Sequence, residues 1–103
     1  MSEKYQVVVS ERAASMLVES AAFLAQVSVA AADRLVDEYE KTINSLSEMP
    51  RRCPFFKAEE IPKNRYRYII FEKRYCALFL IDGKTVYVDY VLDLREDNRG
   101  LLR

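Results

Sequence analysis

From Arg65 to Asp97 the chain reads RYRYIIFEKRYCALFLIDGKTVYVDYVLDLRED, and two tight turn signals cut this stretch into three consecutive strands. Glu72-Lys73-Arg74 turns the first strand into the second, and Asp82-Gly83, both tolerant of positive φ, supplies a two-residue hairpin turn into the third. Every position of the middle strand, Tyr75 to Ile81, is apolar or aromatic, the composition of a central strand covered on both faces. In the first strand Arg65, Arg67, Ile69 and Phe71 point one way and Tyr66, Tyr68 and Ile70 the other. In the last, Val86, Val88, Tyr90, Leu92 and Leu94 alternate with Thr85, Tyr87, Asp89, Val91, Asp93 and Arg95. The first of these sets is expected to face the helices. The second is expected on the opposite face, where a binding surface could form.

Upstream, Tyr5, Val7 and Val9 alternate with Gln6, Val8 and Ser10, the period of a strand with one better-buried face. Ser10 then reads as an N-cap, with Glu11 at the positive end of a helix dipole. Ala13, Leu17, Ala21 and Leu24 recur at helical spacing, with Ala14, Phe23 and Val27 widening the stripe, and predict a helix to about Val27. After Ser28, a second cap or hinge, Ala32, Leu35, Val36, Tyr39, Ile43, Leu46 and Met49 form the stripe of a second helix that Pro50 stops. The proline-rich segment Arg51 to Asn64 reads as a loop pinned to the core by Phe55 and Phe56. The element order is therefore βααβββ, an α+β fold in which an αα-hairpin packs on one face of a sheet that includes a three-stranded antiparallel meander.

A chain of 103 residues, half of them hydrophobic, is expected to form a single domain over residues 1–103. Its 16 basic and 16 acidic side chains balance, which argues against a polyanion-binding domain that relies on overall positive charge. The halves differ, however. Residues 1–50 carry four basic and eight acidic groups, and residues 51–103 carry twelve basic and eight acidic. The densest basic stretch runs from Arg51 to Arg74; a solvated face of interspersed charge is the plainer reading of such a run. Cys53 and Cys76 have no metal or redox spacing and read as free thiols of a reducing compartment. No basic-then-apolar leader opens the chain and no segment approaches about 20 apolar residues, so a cytoplasmic location away from membranes is expected.

The chain has no histidine, which removes Ser-His-Asp and Cys-His catalysis. With Gly83 and Gly100 as its two glycines it can build neither a phosphate loop nor a dinucleotide fingerprint, and no metal or cofactor is expected. What remains is a set of arginines and tyrosines on or beside the sheet: Arg65, Tyr66, Arg67, Tyr68, Lys73, Arg74, Tyr87, Tyr90 and Arg95. Guanidinium groups bind phosphates in bidentate fashion and aromatic rings stack on unpaired bases, so the mixture could grip RNA. Cleavage would need a base for the 2′-hydroxyl proton and cations for the phosphorane, roles open to Lys, Arg and Tyr. The plainer reading is an exposed strand surface, with Arg95 paired to Asp93 or Asp97.

Several of these features occur in a familiar order. Ala13-Ala14 follows the first strand, Ala32 to Leu35 sits in the second helix, and Leu46 with Pro50 marks its end. The arginine-rich strand and the hydrophobic hairpin around Asp82-Gly83 come next. Over nearly its whole length the chain resembles the RelE/ParE superfamily of bacterial toxins, also known as plasmid stabilisation proteins. The resemblance implies a small toxin of a type II toxin–antitoxin system, neutralised by a cognate antitoxin whose extended or helical segment wraps it, with a heterotetramer as one form of the complex.

The superfamily holds two mechanisms. RelE-like members cleave messenger RNA on the ribosome with basic residues on the second strand, an arginine near the start of the third, one at the end of the fourth and a tyrosine in the tail. Matched to that pattern, this chain offers Arg65, Arg67 and Arg95, with Tyr87 as a proton-transfer candidate. The third-strand position falls on Tyr75, with Arg74 on the opposite pleat, and the tail position falls near Leu101, with no tyrosine after Tyr90. ParE-like members lack the constellation and inhibit DNA gyrase by binding. The long helical hairpin and the ending LREDNRGLLR resemble that side. The leading expectation is thus a ParE-like toxin that acts by binding. A ribosome-dependent ribonuclease and an inactive relative that serves only as a binding partner stay open. Arg65, Arg67, Lys73, Arg74 and Arg95 are the candidate contacts for antitoxin or target.

Overall fold

A computed structural model describes residues 4–96. Strand β1 (Gln6–Val9), helices α1 (Glu11–Ala25) and α2 (Val29–Ser45), and strands β2 (Arg67–Phe71), β3 (Tyr75–Asp82) and β4 (Thr85–Asp93) follow one another in the expected βααβββ order. The strands form one sheet in the order β1-β4-β3-β2, so β3, apolar from Tyr75 to Ile81, is interior as its composition requires. β1 runs parallel to β4, a pairing that the intervening helical hairpin makes possible, while the meander is antiparallel.

Both helix caps form as read. The Ser10 hydroxyl accepts from the backbone N–H of Ala13 at 3.0 Å, and that of Ser28 from Ala31 at 3.1 Å. The stripe of α1 is narrower than expected. Ala13 and Leu17 are buried and Ala21 and Leu24 pack against the core, but Ala14, Phe23 and Val27 are exposed, the last two at 72% and 82%. Phe23 lies about a third of a turn from the stripe's centre at 100° per residue, and Val27 falls beyond the helix end at Ala25. α2 likewise ends at Ser45. Met49 is exposed in the left-handed region, and Pro50 opens a short 3-10 turn with its ring buried.

The first hairpin turns at Glu72-Lys73-Arg74 as read, and the second is displaced by one residue. In the first, Glu72 and Lys73 adopt φ of 46° and 66°, a left-handed pair that neither side chain favours. In the second, Asp82 pairs with Thr85, so the two-residue loop is Gly83-Lys84 and not Asp82-Gly83. Gly83 takes the positive φ, 59°, at the first loop position, where glycine is the residue that carries it without a Cβ clash.

The larger correction lies in β4. Leu78 pairs with Tyr90 but Phe79 pairs with Val88, which leaves Asp89 as the extra residue of a β-bulge. One added residue reverses every later side chain. Val86 and Val88 face the helices as expected, but Tyr90 and Leu92 turn to the other face and Val91 takes their place beneath the helices. The opposite face is consequently a second core and not an open surface. Tyr66, Cys76, Leu78, Tyr90 and Leu92 are buried there under Ile61, with Phe56 and Ala58 packed against them from the proline-rich loop. The main core on the helical face joins Leu35, Tyr39, Ile43 and Leu46 of the α2 segment to Phe71, Tyr75, Ala77, Phe79, Val86 and Val88. No helix among the described residues is long and apolar enough to cross a membrane.

Candidate functional site

The β-bulge is held from several sides. Tyr66 donates its hydroxyl to the Asp89 carboxylate at 2.7 Å, while the Asp89 carbonyl accepts from the Ser10 hydroxyl at 3.3 Å and from Arg12 Nε at 3.2 Å. The Arg12 guanidinium also lies 4.0 Å from the centroid of the Tyr90 ring. Burial raises the Tyr66 pKa and the Asp89 bond raises it further, so the phenol stays protonated and serves as a donor. Sequence reasoning missed Asp89. The signal was present in the run Tyr90-Val91-Leu92, three apolar residues where strict alternation allows no such run.

Two basic clusters flank the sheet at opposite ends. At one end stand Arg65 and Arg67. Arg67 directs Nη1 to the carbonyls of Cys53 at 2.6 Å and Arg51 at 3.2 Å, and its guanidinium lies 4.1 Å from the Phe55 ring centroid. Its backbone also bridges Phe55, so this arginine fastens the proline-rich loop to the edge of β2. Arg65 is exposed, 5.5 Å from the centroid of the Tyr66 ring. Together with Arg51, which sequence reasoning placed only within a charge run, both line a small cavity of about 190 Å³.

At the other end stand Lys73, Arg74 and Arg95. Lys73 and Arg74 are exposed in the β2–β3 turn, whose Glu72 pairs with Arg34 of α2 at 3.2 Å. Arg95 clasps Asp93 through both carboxylate oxygens, at 3.2 and 3.0 Å, and its backbone N–H adds a third bond at 2.9 Å. Of the two carboxylates expected as its partner it takes Asp93; Asp97 lies outside the described residues, as does the Leu101-Leu102 ending. Burial acts to raise the Asp93 pKa, but the Arg95 hydrogen bonds and charge outweigh it and hold the carboxyl below its ordinary value. Stability from this pair is therefore fully present above the ordinary Asp pKa and is lost as pH falls through the lowered one. Urea melts of Asp93→Asn and the parent chain are expected to differ at pH 7 and to converge below the ordinary carboxylate range; a gap that persists there means the aspartate acts by packing.

The candidate ribonuclease residues are not brought together. Arg67 pairs with Phe79 on the helical face, whereas Tyr87 pairs with Leu80 and projects from the other. Arg95 follows Asp93, which pairs with Tyr75 at the far end of β3. At about 3.3 Å per residue, Arg95 lies on the order of 20 Å along the strands from Arg65, Arg67 and Tyr87. Neither thiol offers a nucleophile. Burial raises the pKa of Cys53 despite Arg52 and Arg67, and pushes that of Cys76 up to about 12. No group of His, Cys, Asp and Glu among the described residues is arranged to hold a metal ion.

The antiparallel meander, the parallel β1 and the capped helical hairpin on one face are the arrangement that the resemblance to the RelE/ParE superfamily of toxins implies. The family described as the ParE toxin of the type II toxin–antitoxin system, parDE, matches residues 7–98, and the chain belongs to that family. A solved structure described as the chromosomal ParDE TA system from P. aeruginosa shares the fold, with a TM-score of 0.71 at 15% identity. The alignment covers 88% of this chain and 97% of that one. No curated protein matches.

Proposed function

We propose that this protein is a growth-inhibiting toxin that acts by binding DNA gyrase and is neutralised by a cognate antitoxin. The ParE family match over residues 7–98 carries this reading. The dispersal of Arg65, Arg67, Tyr87 and Arg95 over two faces and two ends of the sheet favours a binding toxin over a ribonuclease, because general acid–base chemistry needs its groups within hydrogen-bond reach of one phosphate. Lys73, Arg74 and Arg95 on one side, and Arg65 and Arg67 on the other, are the contacts offered to antitoxin or target. An acidic antitoxin segment complements the basic run from Arg51 to Arg74, either as an added strand or as a helix in a groove. The cytoplasm, where such a target resides, is the expected compartment.

Pulse labelling after induced expression in a bacterial host without antitoxin tests the target. DNA synthesis is expected to fall within the first minutes while translation continues. An earlier fall in protein synthesis overturns the gyrase reading in favour of a ribosome-directed one, and undisturbed growth overturns the toxin reading altogether.

A further inference from the structure

Arg51, Arg65 and Arg67 converge on the cavity at the start of β2, whose remaining lining is Phe55, Asn64, Leu80 and Ile81. No carboxylate belongs to that lining, and none of the three arginines takes part in the ion pairs found among the described residues. Among the described residues, three guanidinium groups thus stand around one small volume without an internal counter-charge, in a chain with as many acidic as basic side chains. Such a cluster repels itself until an anion enters. Arg67 is already oriented for the role, because its Nη1 bonds to Cys53 and Arg51 and its stacking on Phe55 hold the fork in place.

We propose that this cavity is a binding site for a terminal phosphate group, either inorganic phosphate or a phosphate monoester. Charge and size select the ligand. A single carboxylate is satisfied by one bidentate arginine, whereas a phosphate dianion presents more acceptor oxygens and two charges, which match several guanidinium forks. A phosphodiester within a nucleic-acid strand carries one charge and a nucleoside on each side. At about 190 Å³ the cavity is below the usual range for sites that enclose a drug-sized molecule, and it accommodates the phosphate while any attached group remains outside. The site does not depend on gyrase as the target and is tested on the isolated full-length chain.

The arginine Nε–Hε resonances of the chain report occupancy directly. Inorganic phosphate, titrated at constant ionic strength, is expected to shift those of Arg51, Arg65 and Arg67 saturably, and acetate to do so at least about tenfold more weakly. Arg51→Ala and Arg65→Ala each remove an exposed side chain, the latter together with its hydrogen bond to the neighbouring Tyr66, so both variants should stay folded and bind phosphate about tenfold or more weakly. A nucleoside 5′-monophosphate run in parallel separates the two sources: equal binding identifies an ester phosphate as an accepted ligand, and binding of the inorganic ion alone restricts the site to the free anion. Absence of a saturable shift overturns the proposal, as does unchanged affinity in both variants. Equal binding of acetate also overturns it and returns the pocket to an acidic peptide.

Discussion

Phe79→Ala is expected to lower the free energy of unfolding by about 3–5 kcal/mol, the usual cost of emptying a phenylalanine site in a core. Phe79 is fully buried in the interior strand β3 beneath the helices, and it is the residue at which the β3–β4 register shifts, opposite Val88. The flanking strands are held by their own ladders, so the cavity has little room to collapse. Since small domains are stable by only about 5–15 kcal/mol, the variant should sit close to the edge of folding. Urea denaturation measures the loss. Ile70→Ala, at a position 49% exposed on β2, is the contrasting substitution and should cost well under about 1 kcal/mol. Similar losses at the two sites would mean that the core is not organised around β3 as described.

Arg67→Ala is expected to destabilise the fold by about 2–3 kcal/mol through loss of charge-assisted hydrogen bonds and of stacking on Phe55. The carbonyls of Arg51 and Cys53 would lose their donor, and the loop that covers the second core would lose its fastening. Arg67→Lys should recover only part of this, since an ammonium cannot stack on Phe55 while holding the two carbonyls as a planar fork does. Growth arrest in the alanine variant would then be weakened through the fold. Arg65→Ala removes an exposed side chain that does not fasten the loop, should retain most of the stability and is the cleaner probe of target or antitoxin contact. If Arg67→Ala leaves the urea midpoint unchanged but abolishes growth arrest, Arg67 touches the target directly and its structural role is refuted.

Much of the architecture was legible because it is written locally. Ser10 and Ser28 precede apolar-periodic segments and cap the helices through hydroxyls three residues from the N–H groups they satisfy. The seven apolar residues of Tyr75 to Ile81 could not be solvated on either face, and the strand lies inside the sheet. The site was less legible. Arg95 was read as pairing with Asp93 or Asp97, and it clasps Asp93, a contact of near neighbours. Arg67 carries the same charge as Arg65 and shares its face in the strand pattern, yet it fastens the loop while Arg65 lies exposed; what distinguishes them is the placement of two carbonyls and one ring from a segment more than ten residues earlier. The hairpin turn was misread by a single residue, because Asp-Gly and Gly-Lys both tolerate the φ values of a two-residue turn and only the cross-strand register separates them.

The sequence by itself determined the order of the elements, their caps, the centrality of β3 and, through that order, the family to which the chain belongs. Only the tertiary structure decided that the face away from the helices is a second core, that Asp89 bulges and sends Tyr90 and Leu92 to that face, and that three arginines share one cavity. The division has a physical cause. Periodicity, capping and turn chemistry act between residues a few positions apart. The register of β4 is set by partners such as Ser10 and Arg12, whose bonds to Asp89 span 79 and 77 residues, and no pattern local to either segment encodes the pairing.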